Sequence, residues 1–348
     1  MNEPIATREN RLRIRFGLLA TVSALALFSV TYNASAADDD YPPIWIELSG
    51  QFAQDEADQD AYIPSFLAAS PFGKPASNLE GSSRASWDGA TKFSFKTDND
   101  WIFSAAMRYG KTSRSKTANH QAAHASHHNT SKYSGAYDSY QLLKTKASER
   151  HFILDFQAGK DVGLGALGSS VLSAGVRFAQ FNASSNVAAQ SQPTNINGYG
   201  YYHIFRASFA AKRHFNGIGP SLSWDASAAL FGNPASSSFT LDWGANGALL
   251  FGRQRVNEEH QTTDNYKHYF QYLKTTIAHG GEPRSRNVVV PNLGGFAGLS
   301  WRYPNAKVSV GYRADFFFGA MDGGIDAAHR ENVGFYGPFA SVSVGIGG

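Results

Sequence analysis

The chain contains one cluster of histidines with the spacing of a metal site. His120, His124, His127 and His128 stand within NHQAAHASHHNTS, residues 119–131. Histidines four residues apart share one face of a helix, so two of these pairs would suit a metal such as zinc. No Asp or Glu stands nearby to complete the ligand set. We therefore predict a solvated loop without a metal, and a metal site on His120, His124 and His128 is the alternative.

A glycine motif raises the question of nucleotide binding. Residues 163–168 read GLGALG, which matches the pattern G-x-G-x-x-G. A dinucleotide site needs a helix directly after this motif, because the helix N-terminus binds the pyrophosphate. The residues that follow, SSVLSAGVRF, alternate as a strand does. The motif is therefore predicted to be a flexible turn, and the sequence predicts no cofactor.

Two histidines with neighbouring carboxylates raise the question of hydrolysis. A hydrolase site needs a histidine held by a carboxylate, or a serine–histidine pair. The candidates are His151 with Glu149, and His260 with Glu258 and Glu259. No G-x-S-x-G motif marks a nucleophile. The sequence thus predicts that the protein is not an enzyme, with a hydrolase kept as an alternative.

Single charges stand inside otherwise apolar stretches. In KVSVGYRADFFF, residues 307–318, the even positions are all apolar, and the odd positions are small or charged except for Phe317. Successive side chains of a strand point to opposite faces, so one face is apolar and the other carries Arg313 and Asp315. The same alternation assigns further charges to the non-apolar face of other strands: Glu47, Lys92, Arg108, Asp155, Arg177, Arg206, Lys212, Asp225, Asp242 and Arg302.

These strands are predicted to form an all-β fold. The non-apolar faces carry Ser, Gly, Asn and single charges, unlike the dense Lys, Glu and Thr of a soluble β-sandwich. Short connections near 98–100, 160–168, 232–234 and 304–305 alternate with long ones near 54–84, 111–148, 182–200, 257–286 and 321–332. Outer-membrane barrels have this alternation of short periplasmic turns and long outer loops.

The number of strands depends on residues 201–231. If the break at 217–220 is a turn, eleven strands result; if the segment is one strand bent at Gly217 and Gly219, there are ten. Ten strands place both termini on the periplasmic side and all long loops outside. We predict an antiparallel, up-and-down transmembrane β-barrel of about ten strands, within a range of about 8 to 12.

The N-terminus predicts export. Four arginines between residues 8 and 15 precede an apolar run, 16–30, and the small residues 34–36 read ASA. This is the pattern of a cleaved signal peptide, and the run is shorter than the roughly 20 residues of a spanning helix. We predict a signal peptide at 1–36 and a barrel at 37–348.

Composition narrows the function classes. The chain has no cysteine, so it has no disulfide and no thiolate chemistry. Its formal net charge of +3 gives no argument for nucleic acid as a partner. Charged residues make up 17% of the chain, below the roughly 25% of soluble domains.

The second half of the chain resembles a known family. The resemblance to the Legionella-type major outer membrane proteins, which are pore-forming barrels, rests on HFILDFQAGKDVGLG (151–165), SAGVRFAQF (173–181), FNGIGPSLSWDASAALFG (215–232), FTLDWGANGALLFGRQ (239–254), FAGLSWRYPNAKVSVGYRADFFFGAMDGG (296–324) and NVGFYGPFASVSVGIG (332–347). It implies the outer membrane of a Gram-negative bacterium. Outer-membrane lipids and the insertion machinery would then be partners.

The function expected from this resemblance is the passage of ions or small polar solutes. The inward charges then have two interpretations: a network that pairs across and fills the lumen, or a pore lining that tunes ion selectivity. The sequence leaves both open. A non-conducting barrel whose surface loops act in adhesion or binding is the alternative function.

Overall fold

A computed structural model describes residues 43–57, 62–64, 72–75, 84–122, 139–163, 168–191, 194–195, 201–233, 236–268, 271–324 and 327–347. The predicted signal peptide, His124 and His128 lie outside the described residues, as does the side chain of His120. Within these ranges, no helix has the length and apolar character needed to cross a membrane.

The described part of the chain consists of β-strands joined by turns. The strands are β1 (Ile44–Ala57), β2 (Tyr62–Pro64), β3 (Phe72–Pro75), β4 (Arg84–Lys96), β5 (Trp101–Ala122), β6 (Ser139–Asp161), β7 (Gly168–Ser191), β8 (Thr194–Asn195), β9 (Tyr201–Asn233), β10 (Ser237–His268), β11 (Gln271–Gly280), β12 (Arg284–Tyr303), β13 (Ala306–Asp322) and β14 (Arg330–Ile346). No β-bulge interrupts the pairing of β9 with β7 at Gly217 and Gly219 in the described register. The alternative of a turn at 217–220 is therefore wrong, and β9 is one strand.

Ten of these strands close into a barrel. Their order is β1, β4, β5, β6, β7, β9, β10, β12, β13, β14, and β14 pairs with β1 along most of its length. All the pairings are antiparallel, and neighbours in the barrel follow each other along the chain. Closure gives each of these ten strands a partner on both sides, so the backbone polar groups are satisfied within the wall. The predicted ten-stranded, up-and-down barrel is confirmed.

The two ends of the barrel differ. Short connections after β4, β6, β9 and β12 lie at one end, together with the first residue of β1 and the last of β14; we call this the turn end. In the first of these turns, Thr97 and Asp100 share a backbone hydrogen bond, and Asp100 takes a left-handed conformation with φ 62°. The connections after β1, β5, β7, β10 and β13 lie at the opposite, extended end.

The extended end contains more strand than the sequence predicted. Much of the long loops expected at 111–148, 182–200 and 257–286 is β-strand: β5 and β6 run to Ala122 and from Ser139, and β10 pairs with β11 up to His268. Polar side chains on both faces removed the alternation that marked the strands elsewhere. Pairing still satisfies the backbone there, because each strand has a neighbour of matching length.

The outer wall of the barrel is apolar over a broad belt. Large apolar side chains point outward and are exposed, among them Leu48 (57%), Phe156 (55%), Leu222 (62%) and Val310 (56%). Trp101, Trp301 and Tyr303 stand near the turn end of this belt, and Tyr109 and Trp87 stand toward the extended end. An apolar band bordered by aromatic side chains is the surface that meets lipid in a membrane barrel.

Candidate functional site: a plugged and charged lumen

A buried charge network crosses the lumen. Arg108 of β5 donates from Nη1 to Asp315 Oδ2 at 2.7 Å and from Nη2 to Asp88 Oδ2 at 2.7 Å. His151 Nε2 lies 3.1 Å from the same Asp88 oxygen. All four side chains are less than 10% exposed. Since β5 and β13 are four strands apart in the barrel, the Arg108–Asp315 pair ties opposite parts of the wall together.

A second network lies beside the first. Arg177 of β7 forms a two-point pair with Asp155 of β6, at 2.6 and 3.1 Å. Its remaining Nη1 donates to the amide oxygens of Asn246 and Asn292. Asn292 in turn donates to the backbone oxygen of Phe316 at 3.0 Å. The arginine is therefore satisfied on every side, which a buried cation requires.

The lumen has open space toward the turn end. Two adjoining cavities of about 370 and 510 Å³ lie there. They share the charged lining residues Glu47, Lys92, Arg302 and Lys307. Lys92 pairs with Asp225 at 3.5 Å, and Lys307 pairs with Asp242 at 2.5 Å. We call these two cavities the vestibule. Its lining is polar, and some of its charges form ion pairs.

Toward the extended end, an aromatic layer fills the lumen. We call Phe181, Phe215, Phe317 and Phe335 the aromatic plug. The rings of Phe181 and Phe317 meet edge to face at 4.8 Å, although β7 and β13 are four strands apart. Phe181 stacks on Phe215 at 5.8 Å and also contacts Phe335 at 5.9 Å. Phe215 and Phe317 are 0% exposed, so the layer leaves no room for water beside them.

Other inward residues complete this layer. Ala53, Ile153, Ala179, Leu250 and Val290 pack in the same cluster and are all buried. Two glycines make room for the plug: a Cβ on Gly217 or Gly252 would stand 2.6 or 2.7 Å from the ring of Phe215. The short segment β2, which lies between β1 and β4, contacts β9, β7 and β10 across the barrel. The described segment β2 of the connection after β1 thus reaches the opposite wall of the barrel.

Most of the predicted luminal charges point inward. Glu47, Asp155, Arg177, Asp225, Asp242, Arg302, Arg313 and Asp315 all line the vestibule. Arg313 and Asp315 do not pair with each other in the structure. Asp315 binds Arg108, whereas the guanidinium of Arg313 lies over Phe339, 4.9 Å from the ring centroid, and over Phe296 at 5.9 Å.

The assignment of Arg206 to the lumen is wrong. Arg206 and Lys212 are exposed, whereas Ala207, Phe209 and Ala211 are buried. Strand β9 keeps one parity along its paired length, so its odd residues face inward from Ala207 to Asp225. The interior of the barrel is packed near Phe209, so the apolar side chains of β9 face inward there. The sequence pattern instead predicted that this apolar face contacts lipid.

The candidate catalytic histidines have other surroundings. His151 is 4% exposed and is held by Asp88, and its ring lies tilted against that of Phe335, with the centroids 3.9 Å apart. Glu258 is buried and accepts from Arg284, while its neighbour Glu259 is exposed on the other face of β10. No cluster of three or more potential metal-ligating side chains occurs among the residues that the structure describes. The alternative of a metal site on His120, His124 and His128 concerns side chains outside the described part of the chain.

The sequence missed the plug, although it carried a signal for it. Phe317 and Ile153 were the exceptions to the alternation of their strands, and both are plug-layer residues. An apolar residue on a polar face therefore marked where the interior of the barrel is packed. Phe181, Phe215 and Phe335 stand on the inward parity of their strands in the same way.

A closed antiparallel barrel with an apolar outer wall and a charged interior is a membrane-spanning β-barrel. The chain belongs to the family described as the Legionella pneumophila major outer membrane protein precursor, whose model matches residues 70–346. It is accordingly an outer-membrane β-barrel protein. The turn end is then the periplasmic end, and the extended end faces outward. No match was found among curated protein sequences.

Solved structures with a similar chain course include three proteins of different activity. The outer membrane protease OmpT of Escherichia coli aligns at 12% identity over 90% of this chain and 100% of its own, with a TM-score of 0.40. The translocator domain of the autotransporter NalP of Neisseria meningitidis aligns at 10% identity over 97% and 96%, with a TM-score of 0.32. The toluene transporter TodX of P. putida aligns at 10% over 90% and 91%, with a TM-score of 0.27. These likenesses concern the fold alone.

Proposed function

We propose that the protein is a gated outer-membrane pore, closed in the conformation described, which passes ions or small polar solutes when the aromatic plug is displaced. The observation that carries this proposal is the abrupt end of a charged vestibule at a dry aromatic layer. A hydrophobic constriction in an otherwise polar path gates a channel by excluding water from it. The pairing of the inward charges supports a narrow path for small species over a wide diffusion pore.

A second candidate is a non-conducting barrel whose outer surface acts in adhesion or binding. The full burial of Phe215, Phe317 and Leu250 favours it, because nothing of the size of water fits beside these side chains. The contact of β2 with the opposite wall favours it as well. In this case the charge networks serve to hold the walls together.

Conductance in planar bilayers distinguishes the two candidates. We expect the wild-type protein to give rare or small current steps, and the double variant Phe181→Ala/Phe215→Ala to raise open probability or step size severalfold. Removal of two rings opens the constriction without touching the charged vestibule. The matched control is Phe103→Ala/Phe156→Ala, which removes two outward rings that are 49% and 55% exposed.

The control is expected to conduct as the wild type does. Heat-modifiable migration on a cold gel establishes that each variant is folded. If the folded plug variant and the wild type are both silent, the pore proposal fails and the non-conducting barrel is supported. An increase in the control as large as in the plug variant would also count against the gate.

We further infer that the protein has no hydrolytic role. The support is the position of His151, which is buried in an ion-paired network away from any open surface, and the pairing of Glu258 with Arg284. Peptide or lipid products released by the wild type but lost in His151→Ala and His260→Ala would contradict this. The signal peptide is likewise a proposal, which N-terminal sequencing of the exported protein tests by a start near residue 37.

A further inference from the structure

The outer wall carries a row of six polar side chains that includes three exposed cations. One hydrogen-bond register joins six outward side chains on neighbouring strands. They are Lys111 of β5, Arg150 of β6, Asn182 of β7, His214 of β9, Arg255 of β10 and Ser285 of β12, and we call them the cationic row. Lys111, Arg150 and Arg255 are exposed. Neighbouring strands lie about 4.8 Å apart, so the row spans about 24 Å of wall.

The cationic row borders the lipid-facing belt. Four residues nearer the periplasmic end along the same strands, the equivalent row consists of Met107, Leu154, Phe178, Ile218, Phe251 and Val289. That row contains no polar side chain. The distance between the two rows is about 13 Å along the strands. Between the two rows, β5 and β6 carry the outward aromatic side chains Tyr109 and Phe152. On these two strands, acyl chains can therefore cover the wall up to the cations Lys111 and Arg150.

The cations of this region lack the partners that the interior charges have. Among the residues that the structure describes, no ion pair involves Lys111, Arg150, Lys212 or Arg255. In contrast, Arg108, Arg177 and Lys307 inside the barrel each have a carboxylate. Lys111 and Arg150 stand directly opposite each other in the register. Like charges in this position destabilise a sheet unless an anion lies between them.

His214 lies between the two arginines of the row. Its Nδ1–H donates to Asn182 Oδ1 at 2.7 Å. In the register, His214 stands directly opposite Arg255, and Asn182 alone separates it from Arg150. Both guanidinium groups therefore act on the same spot. An anion bound there would relieve this repulsion.

A groove lies along the row. Its volume is about 670 Å³, and its lining includes Lys111, Arg150, Lys212, His214 and Arg255. Two further cations, Arg213 and Arg284, and one carboxylate, Glu149, also belong to its lining. Arg213, Arg284 and Glu149 stand on the inward faces of their strands. Arg284 pairs there with Glu258. The outward-facing charge of the groove is thus positive.

We propose that this groove binds the phosphorylated head group of a lipid of the outer leaflet. Guanidinium groups match phosphate oxygens in two-point hydrogen bonds, and Arg150 and Arg255 flank the groove from both sides. The lipid is favoured over a soluble anion because a continuous apolar surface for the acyl chains begins on the same strands, about 13 Å nearer the periplasmic end. The inference rests on the outer-membrane location and not on the gated-pore proposal.

The test measures binding of lipid A to the full-length, detergent-solubilised protein by native mass spectrometry. The probes are lipid A with two phosphates, the same lipid without phosphate, and inorganic phosphate. We expect the bisphosphorylated lipid to bind best, and the variant Arg150→Gln/Arg255→Gln to bind it about tenfold or more weakly, since two charge-assisted hydrogen-bond donors are lost.

The matched control is Lys146→Gln/Lys160→Gln, which removes two exposed, outward cations of the same strand β6 that lie outside the row. It is expected to bind as the wild type does. Equal binding of the phosphate-free lipid would overturn the proposal, as would equal affinity for inorganic phosphate or an unchanged affinity of the arginine variant. We expect the arginine variant to keep the bilayer conductance of the wild type. Loss of lipid binding can therefore be distinguished from loss of the pore function.

Discussion

At the scale of single residues, the interior of this barrel follows the rule that buried charges are paired. Arg108 is the clearest case, because one guanidinium neutralises Asp88 on a near strand and Asp315 on a far one. Gly110 makes the arrangement possible, since a Cβ there would stand 2.1 Å from Asp88 Oδ1 and 2.3 Å from the ring of His151. A missing side chain is thus as necessary to the network as the charges are.

Replacement of Arg108 by methionine is expected to destabilise the barrel strongly. The substitution keeps the length of the side chain but leaves two buried carboxylates without their cation, which costs about 3–5 kcal/mol. Urea unfolding of the protein in lipid vesicles measures the change. Lys160→Met, at an exposed position on the outer wall, is the control and should change stability by less than about 0.5 kcal/mol.

A further variant separates the charge effect from packing. Adding Asp88→Asn and Asp315→Asn to Arg108→Met removes the uncompensated charges and should restore part of the stability. If the triple variant is as unstable as Arg108→Met, the loss arises from packing and not from unpaired carboxylates.

At the scale of the strands, the barrel wall continues well beyond the apolar belt. Residues 207–215 of β9 pair with β7 on one side and with β10 on the other. Their inward side chains Ala207, Phe209, Ala211 and Phe215 are buried, and their outward neighbours are mostly polar. The extended end is therefore a folded sheet with its own packed interior.

Hydrogen exchange tests this description of the extended end. The amides of residues 207–215 should exchange at least about 100-fold more slowly than those of Asp98 and Asn99 in the exposed first turn, because two strand partners must separate before exchange occurs. Mass-spectrometric exchange of the detergent-solubilised protein gives both rates. Comparable rates in the two segments would mean that the extended end is not a stable sheet.

At the scale of the whole molecule, closure is what makes the fold possible in a membrane. The first and last strands meet in one register, in which Leu48 pairs with Val342. On its other side, Val342 pairs with Val308 of β13. An unpaired edge at this seam would expose backbone N–H and C=O groups to hydrocarbon, at a cost of several kcal/mol for each group.

A proline in the closing strand is expected to prevent assembly. Val342→Pro removes a backbone donor at a position where β14 is paired with both β1 and β13. The native Pro338 of the same strand lies where the pairing with β1 is interrupted. Most of the protein should then lose the heat-modifiable band of a folded barrel on a cold gel. Val342→Ala keeps the donor and should fold normally, and a proline variant that folds to the same extent would contradict the role assigned to closure.

The predictions from sequence succeeded where a local pattern has one physical cause. Alternation with a period of two revealed the strands of the apolar belt, since lipid outside and a polar lumen inside impose opposite chemistry on successive residues. The same reasoning placed Arg313 and Asp315 inside. It failed for Arg206, because the apolar face of this part of β9 fills the interior of the barrel and does not contact lipid.

By itself, the sequence determined the class of fold, the ten strands and the inward face of most charges, because these depend on which solvent each side chain meets. Only the tertiary structure decided that Phe181, Phe215, Phe317 and Phe335 meet across the lumen and that Arg108 rather than Arg313 pairs with Asp315. It also decided that the members of the cationic row stand side by side on neighbouring strands. The physical reason is that each of these features joins strands distant in the chain. Their contact depends on barrel size and register, and no single strand contains that information.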